Sequence, residues 1–257
     1  MTTYEVASFN IRVDIPVDGE NSWAFRKEHL LRLIRYYRWD IFGLQEAKGN
    51  QLRYLAALDD YEVEGISRDQ DPDDEHCPVF YNKSVFTKED GGTFWLTETP
   101  EVPSKSWGSD YNRICTWVRL KDTRNGNRIH FLNTHLDHIS EEARYRGALM
   151  ILDWIRDQDG DLPVILTGDF NALPDERCYR EITGQLTDTR RAADDAHYGP
   201  WGTFTGFRYD IPWNELMEID YIFTDKQARV RKTRTVTDSY DRKYPSDHYP
   251  VTATLEW

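Results

Sequence analysis

Short apolar runs that end in polar residues recur along the chain and predict β-strands. Residues 4–13 alternate between polar and apolar side chains, as in a half-buried strand, with Asn10 late in the segment. Residues 40–46 and 162–166 are more continuously apolar, which is typical of strands buried on both faces. Further strand-like segments span residues 78–82, 93–96, 113–120, 128–134, 218–223, 228–236 and 251–255.

Helical patterns separate some of these strands. The predicted helices are one that begins after residue 21 or 22 and ends at residue 38, one over residues 49–58, one capped by Ser140, and a short one with Pro174 in its first turn. Residues 122–127 contain the turn sequence Asn125-Gly126, so part of the sheet is expected to be antiparallel. Residues 184–212 lack periodicity and are expected to be mostly loop, with a role facing the substrate.

The composition of the 257-residue chain favours a packed globule. Hydrophobic residues make up 39% of it, and no stretch between the strands resembles an interdomain linker, so residues 1–257 are expected to form one domain. With 32 basic and 45 acidic side chains, the formal net charge is −13, which opposes loose electrostatic binding to duplex DNA or an anionic membrane. A phosphate substrate stays compatible with this charge, because divalent cations held by carboxylates supply positive charge locally.

The cysteines Cys77, Cys115 and Cys178 are widely spaced, and none belongs to a C-x-x-C pair. Buried free thiols in a reducing compartment are therefore expected, rather than disulfides or a zinc site. The first residues lack the basic and apolar regions of a signal peptide, and no apolar run approaches the roughly 18 residues that a membrane span requires. We therefore expect a cytoplasmic protein that does not contact a membrane.

An acidic stretch over residues 68–75 invites comparison with a calcium-binding loop. The spacing is wrong, because such a loop needs a glycine where Asp74 stands and a bidentate glutamate where Phe80 stands. We therefore expect a solvated loop without a metal in this stretch.

Polar residues that suit metal or phosphate binding fall at the ends of separate strands. They are Asn10, Glu46, His135 with Asp137, and Asp169 with Asn171, at or just past carboxyl ends, then Asp220 early in a strand and His248 just before the last one. Any one of them alone would be explained as a cap or a turn residue. Because open α/β sheets place their sites at strand carboxyl ends, six such segments in succession indicate a functional site.

The residue types fit one chemistry. Carboxylates such as Glu46 suit a hard cation, amides such as Asn10 and Asn171 hydrogen-bond phosphate oxygens without charge repulsion, and histidines donate to a developing oxyanion. The sequence contains no Gly-rich phosphate loop, no G-x-S-x-G elbow and no H-E-x-x-H motif. Metal-assisted attack by water is the reaction class that remains.

Six ordered motifs, spread from Tyr4 to Leu255, resemble those of the endonuclease/exonuclease/phosphatase superfamily, which has the deoxyribonuclease I-like fold. They are Ser8-Phe9-Asn10-Ile11, Gln45-Glu46, Asn133-Thr134-His135-Leu136-Asp137, Gly168-Asp169-Phe170-Asn171-Ala172, Ile219-Asp220-Tyr221-Ile222 and Ser246-Asp247-His248-Tyr249-Pro250-Val251. Its members include pancreatic-type deoxyribonuclease, deadenylases, inositol-polyphosphate 5-phosphatases and neutral sphingomyelinases. The compact size resembles small bacterial members related to the deadenylase branch.

The resemblance implies an α/β fold, namely a four-layer α/β sandwich of two mixed β-sheets packed face to face with flanking helices. It implies one active site at an edge of that sandwich, with Mg²⁺ or Mn²⁺ as cofactor. Glu46 resembles the family's main metal ligand, Asn10 resembles its partner near metal and phosphate, and Asp247 is expected to assist the metal. The alternative for Asp247 is a turn carboxylate without a metal.

The same resemblance assigns the catalytic residues. Asp169 resembles the carboxylate that orients and deprotonates the attacking water, and Asn171 resembles the amide that steadies the phosphorane. His248 resembles the histidine that hydrogen-bonds the phosphoryl oxygen, with Asp220 either orienting it or making a structural hydrogen bond. His135 resembles the histidine placed near the leaving oxygen.

Two further residues are candidates for substrate binding. Arg113 stands where a strand begins and either clamps phosphate with its planar fork or forms a surface salt bridge. Trp201 lies in a loop-like segment with Phe204 and Phe207, where an aromatic ring stacks on a base or sugar or packs into the core.

We therefore expect a Mg²⁺- or Mn²⁺-dependent phosphoester hydrolase of the phosphodiesterase or nuclease type. The alternatives are a phosphomonoesterase acting on a sugar or inositol phosphate, and a catalytically silent binding protein of the same fold. The expected partner is a phosphoester substrate, either a short single-stranded nucleic acid or a small phosphorylated molecule, bound by a monomer.

Overall fold

The order of strands and helices is seen in a computed structural model, which describes residues 2–158 and 162–257. The strands are β1 (Thr3–Asn10), β2 (Ile41–Gln45), β3 (Ala47–Lys48), β4 (Tyr61–Glu64), β5 (Glu75–His76), β6 (Val79–Asn82), β7 (Phe86–Trp95), β8 (Ile114–Asp122), β9 (Arg128–His135), β10 (Val164–Asp169), β11 (Thr187–Asp188), β12 (Asp220–Thr224), β13 (Arg229–Thr235) and β14 (Val251–Glu256). The α-helices are α1 (Trp23–Tyr37), α2 (Gly49–Leu55), α3 (Glu141–Arg156), α4 (Arg177–Gln185) and α5 (Thr189–Ala192). Short 3-10 turns span Pro16–Asn21 and Trp213–Glu215.

Two six-stranded mixed sheets organise the chain. The first has the order β13-β14-β1-β2-β6-β4 and the second the order β11-β12-β10-β9-β8-β7. The pairs β1/β2 and β9/β10 are parallel, whereas β7, β8 and β9 form an antiparallel meander. The Asn125-Gly126 turn joins β8 to β9, with Gly126 in the left-handed region at φ 80°, which confirms the predicted hairpin.

The apolar residues divide the molecule into four layers. Val6 and Ile41 of the first sheet pack against Phe131 and Ile165 of the second and form the core between the sheets. The outer face of each sheet is covered by helices. In the first sheet Ala7, Phe9 and Phe42 contact α1 through Leu30 and Ile34, and in the second Leu132 and Leu166 contact α3 and α4 through Ile151, Leu152 and Ile182. The predicted α/β sandwich of two sheets with flanking helices is therefore confirmed.

The helices agree with the sequence in order but differ at their ends. Ser140 caps α3 as predicted, since its Oγ accepts the Ala143 N–H at 3.1 Å. The helix predicted over residues 49–58 ends earlier, at Leu55, where the chain turns toward β4. Pro174 lies outside α4, in the preceding turn, because Glu176 takes the position before the helix. The Glu176 side chain accepts the Leu173 N–H and is held by Arg144.

Other segments depart from the predictions because their polar residues hide the pattern. The predicted strand over residues 93–96 is the end of the longer edge strand β7, whose exposed middle is irregular between Lys88 and Asp90. Residues 184–212 are mostly loop but include β11 and α5. The three cysteines are buried and free, as expected. None of the described helices is long and apolar enough to cross a membrane.

Candidate active site

The candidate site lies at the edge where the parallel strands of both sheets end. The polar residues predicted at strand ends meet there: Asn10 ends β1, Glu46 follows β2, His135 ends β9, Asp169 ends β10, Asp220 begins β12 and His248 precedes β14. β12 runs antiparallel to β10, so Asp220 pairs in register with Asp169 even though it begins its strand. The two sheets therefore deliver side chains from distant parts of the sequence to one place.

His248 is buried between two carboxylates. Its Nδ1 lies 2.9 Å from Asp220 Oδ2, and its Nε2 lies 3.7 Å from Asp169 Oδ2. Thr203 Oγ1 donates to the same Asp220 oxygen and fixes that carboxylate. Burial lowers the pKa of His248, but the negative charges of Asp220 and Asp169 outweigh it and raise the pKa to about 10. The two carboxylates therefore favour the protonated form of His248, whose Nε2 faces Asp169.

Asn10 connects the carboxylates of the two sheets. Its Nδ2 donates to Glu46 Oε1 at 3.1 Å and to Asp169 Oδ2 at 2.9 Å, while its Oδ1 accepts the Arg12 N–H at 3.0 Å. The backbone donor fixes the orientation of the amide. Glu46 also accepts the Val13 N–H through Oε2 at 2.8 Å. Glu46 has a left-handed φ of 60°, a strained conformation of the kind that accumulates at functional sites.

Asp169 and His135 complete the candidate site. Asp169 Oδ1 accepts the Asn171 N–H at 2.9 Å, and burial followed by the charge of Asp220 raises the pKa of Asp169. Asn171 Nδ2 donates to the Leu136 carbonyl at 3.1 Å and lies 3.0 Å from His135 Nε2. That ring nitrogen must therefore accept, so His135 is neutral and carries its proton on Nδ1. Burial, followed by the nearby Arg113 charge, also holds the pKa of His135 well below its usual range.

A cavity of about 740 Å³ opens over these residues. Its lining includes Glu46, Asp169 and His248. The apolar part of the lining consists of Phe204, Phe207, Met217 and Ile219. A polar part, called the polar wall below, consists of Lys48, Arg68, Tyr111, Arg113 and His138. The cavity has a size usual for a small-molecule site.

A model of the endonuclease/exonuclease/phosphatase family matches residues 7–248, which include every polar residue of this edge. The chain belongs to this family. The family consists of phosphoester hydrolases that generally use a divalent metal.

Solved structures of bacterial proteins resemble this family member over its full length. An endonuclease/exonuclease/phosphatase protein from Bacteroides vulgatus is 35% identical, with a TM-score of 0.95 over 100% of this chain and 99% of that one. A mannosyl-6-phosphatase from Bacteroides thetaiotaomicron VPI-5482 is 33% identical, with a TM-score of 0.94 over 99% of this chain and 100% of that one.

An uncharacterized protein of Acanthamoeba polyphaga mimivirus is 26% identical over 164 residues, and the match covers 58% of this chain and 59% of that protein.

The donor set beneath the cavity fits a hard divalent cation of the kind the family uses. Glu46 and Asp247 both line the cavity and offer carboxylate oxygens, the ligands that Mg²⁺ prefers. Burial raises the pKa of Asp247, and although His248 opposes this, the charge of Glu46 adds to the rise. The two carboxylates therefore repel each other, and a cation between them would relieve that repulsion. Asn10 directs its amide nitrogen toward the carboxylates of Glu46 and Asp169. Its nearest contacts are therefore with these carboxylates and not with a cation.

Asp169, Asp220 and His248 also have the spacing of a metal group, since one potential ligand atom from each lies within 4.8 Å of the others. Within this group His248 Nδ1 lies 2.9 Å from Asp220 Oδ2, and Thr203 Oγ1 donates to the same oxygen, so these atoms already have hydrogen-bond partners. We therefore interpret this group as a hydrogen-bonded chain and Glu46 with Asp247 as the better cation site. Residues 68–74 form turns that lead into β5, but Arg68 is buried, so the loop predicted there is solvated only in part.

The two residues predicted to bind substrate lie in different surroundings. Arg113 is in the cavity wall, with its side chain 6% exposed, and pairs with the buried Asp137 at 3.4 Å, so its salt bridge is not a surface one. The cavity lining does not include Trp201. The Trp201 ring packs 5.0 Å from that of His197, and its carbonyl accepts from Arg190 behind the site.

Three arginines near the site carry no signal in the sequence. Arg12 lies 3.7 Å from Asp247 and 4.0 Å from Glu46, and it follows Asn10 by only two positions. Arg26 is buried and donates to backbone carbonyls on both sides of the site, and Arg68 lines the polar wall. Each resembles an ordinary surface arginine in the sequence, because its burial beside the site depends on the tertiary fold.

Proposed function

We propose that this chain is a divalent-metal-dependent phosphoester hydrolase in which water attacks phosphorus in line. The proposal is carried by one observation: Asp169, His135 and His248 line the same cavity. Glu46 and Asp247 would hold a Mg²⁺ or Mn²⁺ ion, which supplies charge that polarises the phosphoryl group. The complete set of polar residues supports an enzyme over a silent binding protein of the same fold.

The roles follow from the hydrogen bonds. Asp169, with a raised pKa, accepts a proton from the attacking water. His248 donates from Nε2 to a phosphoryl oxygen as charge develops, and Asp220 holds it in place. Both amide hydrogens of Asn171 have partners, so we assign it the positioning of the neutral His135 on the leaving-group side.

A phosphomonoester of a small sugar-like alcohol is the substrate class favoured over a nucleic acid. The related mannosyl-6-phosphatase, 33% identical over nearly all of both chains, supports this preference. The cavity of about 740 Å³ suits a small molecule, and the net charge of −13 opposes a polyanion.

The assignment is tested with para-nitrophenyl phosphate and bis-para-nitrophenyl phosphate in the presence of Mg²⁺ or Mn²⁺. Asp169→Asn and His248→Ala should each lower kcat by roughly 10²- to 10⁴-fold, since each removes a group that acts only in the transition state. Asp153→Asn, an exposed change on α3, is the matched control and should leave kcat unchanged. Wild-type rates in both site variants would refute the roles.

A further inference from the structure

Two buried arginines form the polar wall of the cavity beside His135. The side chains of Arg68 and Arg113 are 10% and 6% exposed, and both line the cavity. The guanidinium carbons lie 4.3 Å and 5.5 Å from the ring centroid of Tyr111, which braces both. Arginine is rarely buried without a full set of partners, because removing its charge from water is costly.

The partners of these arginines leave several donors free. Arg68 donates through Nη1 and Nη2 to the two oxygens of Glu75, both at 2.9 Å. Its buried Nε makes no hydrogen bond among the described residues and lies 3.6 Å from Asp69 Oδ2. Arg113 donates through Nε to Asp137 at 3.4 Å and through Nη2 to His138 Nδ1 at 3.1 Å. Its Nη1 has no hydrogen bond in the part of the chain that the structure describes.

The carboxylate beside Arg113 is shared with other donors. Asp137 accepts the backbone N–H groups of Asp110, Ile139 and Ser140 at 2.8 to 3.0 Å. It therefore neutralises Arg113 only in part, and the long Nε contact of 3.4 Å agrees with this. The wall therefore keeps guanidinium donors, Arg113 Nη1 among them, without a hydrogen bond from the described residues, at a point that no mechanistic step proposed above uses.

We propose that Arg68 and Arg113 form an anion subsite that binds the non-bridging oxygens of a terminal phosphate and so selects phosphomonoesters over phosphodiesters. A monoester carries about −1.5 to −2 charge at neutral pH, whereas a diester carries about −1, so two guanidinium groups favour the monoester. A diester would instead press its second alcohol against these donors and leave them without partners. This inference rests on the proposed hydrolase function and specifies its substrate class.

The test compares para-nitrophenyl phosphate with bis-para-nitrophenyl phosphate, which share a leaving group. Arg68→Gln and Arg113→Gln should lower kcat/KM for the monoester by roughly tenfold or more and change that for the diester less than about threefold. Arg68→Lys should keep part of the preference, because it retains charge without the fork. Arg53→Gln is the matched control, since Arg53 is 66% exposed and pairs with the exposed Asp73. Equal losses on both substrates, or no loss on either, would overturn the proposal.

A binding measurement separates this inference from the hydrolase assignment. Inorganic phosphate titrated calorimetrically into Mg²⁺-loaded wild-type protein should bind, and Arg68→Gln should weaken that binding by roughly tenfold, whereas Arg53→Gln should not. If the wild type hydrolyses neither ester but binds phosphate through Arg68, the subsite stands and the hydrolase proposal fails. If phosphate binds equally to all variants, the subsite is wrong. A thermal unfolding scan of each variant verifies that it is folded.

Discussion

The imidazole of His248 is buried between Asp220 and Asp169, and its charge depends on both carboxylates. Because its folded-state pKa of about 10 exceeds the ordinary 6.5, the stabilisation is fully present below pH 6.5 and is lost as the pH rises toward 10. In chelator-treated protein, Asp220→Asn should therefore lower the free energy of unfolding most at about pH 6 and much less at about pH 9.5. Guanidinium unfolding curves across this range measure the effect.

The exposed Asp153→Asn variant serves as control for this comparison, and its effect should stay small and independent of pH. If the curves of wild type and Asp220→Asn run parallel from about pH 6 to pH 9.5, the His248 charge does not depend on Asp220. The interpretation of this pair as a charged hydrogen-bonded chain would then be wrong.

Single residues were predictable where the backbone alone determines their place. Asp169 follows a continuously apolar segment, so its position at a strand end can be recognised from local pattern. The polar wall could not be predicted in the same way. Arg68 stands in a loop without periodicity, and its relation to Arg113 exists only after β5 and β8 have been placed by pairing with other strands. The position of Trp201 outside the cavity lining likewise could not be predicted, because it depends on the path of its loop.

At the scale of elements, Arg26 joins α1 to the segments that flank β1 and β14. Its guanidinium donates to the carbonyls of Ile11, Arg12 and Pro245, and its Nε donates to that of Asn21 at 2.9 Å. Arg26→Leu should lower the free energy of unfolding by about 2–4 kcal/mol, because it leaves several buried carbonyls without donors. It should also reduce kcat by roughly tenfold, since residue 245 leads directly into Asp247 and His248.

Arg32→Leu provides the comparison on the same helix. Arg32 is 70% exposed and pairs with Glu28 alone among the residues that the structure describes, so its loss should cost less than about 1 kcal/mol and leave kcat unchanged. Denaturant unfolding and para-nitrophenyl phosphate turnover measure both quantities. Equal stability of Arg26→Leu and Arg32→Leu would show that the buried guanidinium does not join these elements.

The elements themselves were more predictable than their ends and their junction. The strands and the antiparallel hairpin follow from apolar runs and turn residues, whereas the parallel pairing of β1 with β2 and of β9 with β10 is seen only in the fold. The junction of the sheets beneath the site is polar instead of apolar: Asn133 Oδ1 accepts from Gln45 at 2.7 Å and from Thr167 at 3.1 Å. Such a buried network cannot be inferred from periodicity, because each member looks like an ordinary polar residue of its own strand. The network connects β2 with β9 and β10 below the sheet edge that holds the candidate site.

At the scale of the whole molecule, the site exists because two sheets bring their strand ends to one edge. Asn10 and Glu46 belong to the first sheet and His135 and Asp169 to the second, so neither sheet alone contains the site. The family resemblance predicted the sandwich of two mixed sheets, and the fold confirms it; the active site at this edge stays a prediction. The loops over the edge determine the shape of the cavity, and their course depends on tertiary contacts that no local pattern encodes. The substrate class is therefore argued from the cavity and the relatives.

The carboxylates gathered from both sheets should make the stability of the whole molecule depend on divalent cations. Glu46 and Asp247 repel each other in the metal-free protein, and a bound cation stabilises only the folded state. Mg²⁺ or Mn²⁺ at about 100 times its Kd should add about 2.7 kcal/mol to the free energy of unfolding. For a chain of this length, that corresponds to a rise of roughly 5–10 °C in Tm. Thermal scans with and without chelator measure it. Glu46→Gln should lose most of the rise, and Asp153→Asn should retain it; an equal rise in both variants would place the cation elsewhere.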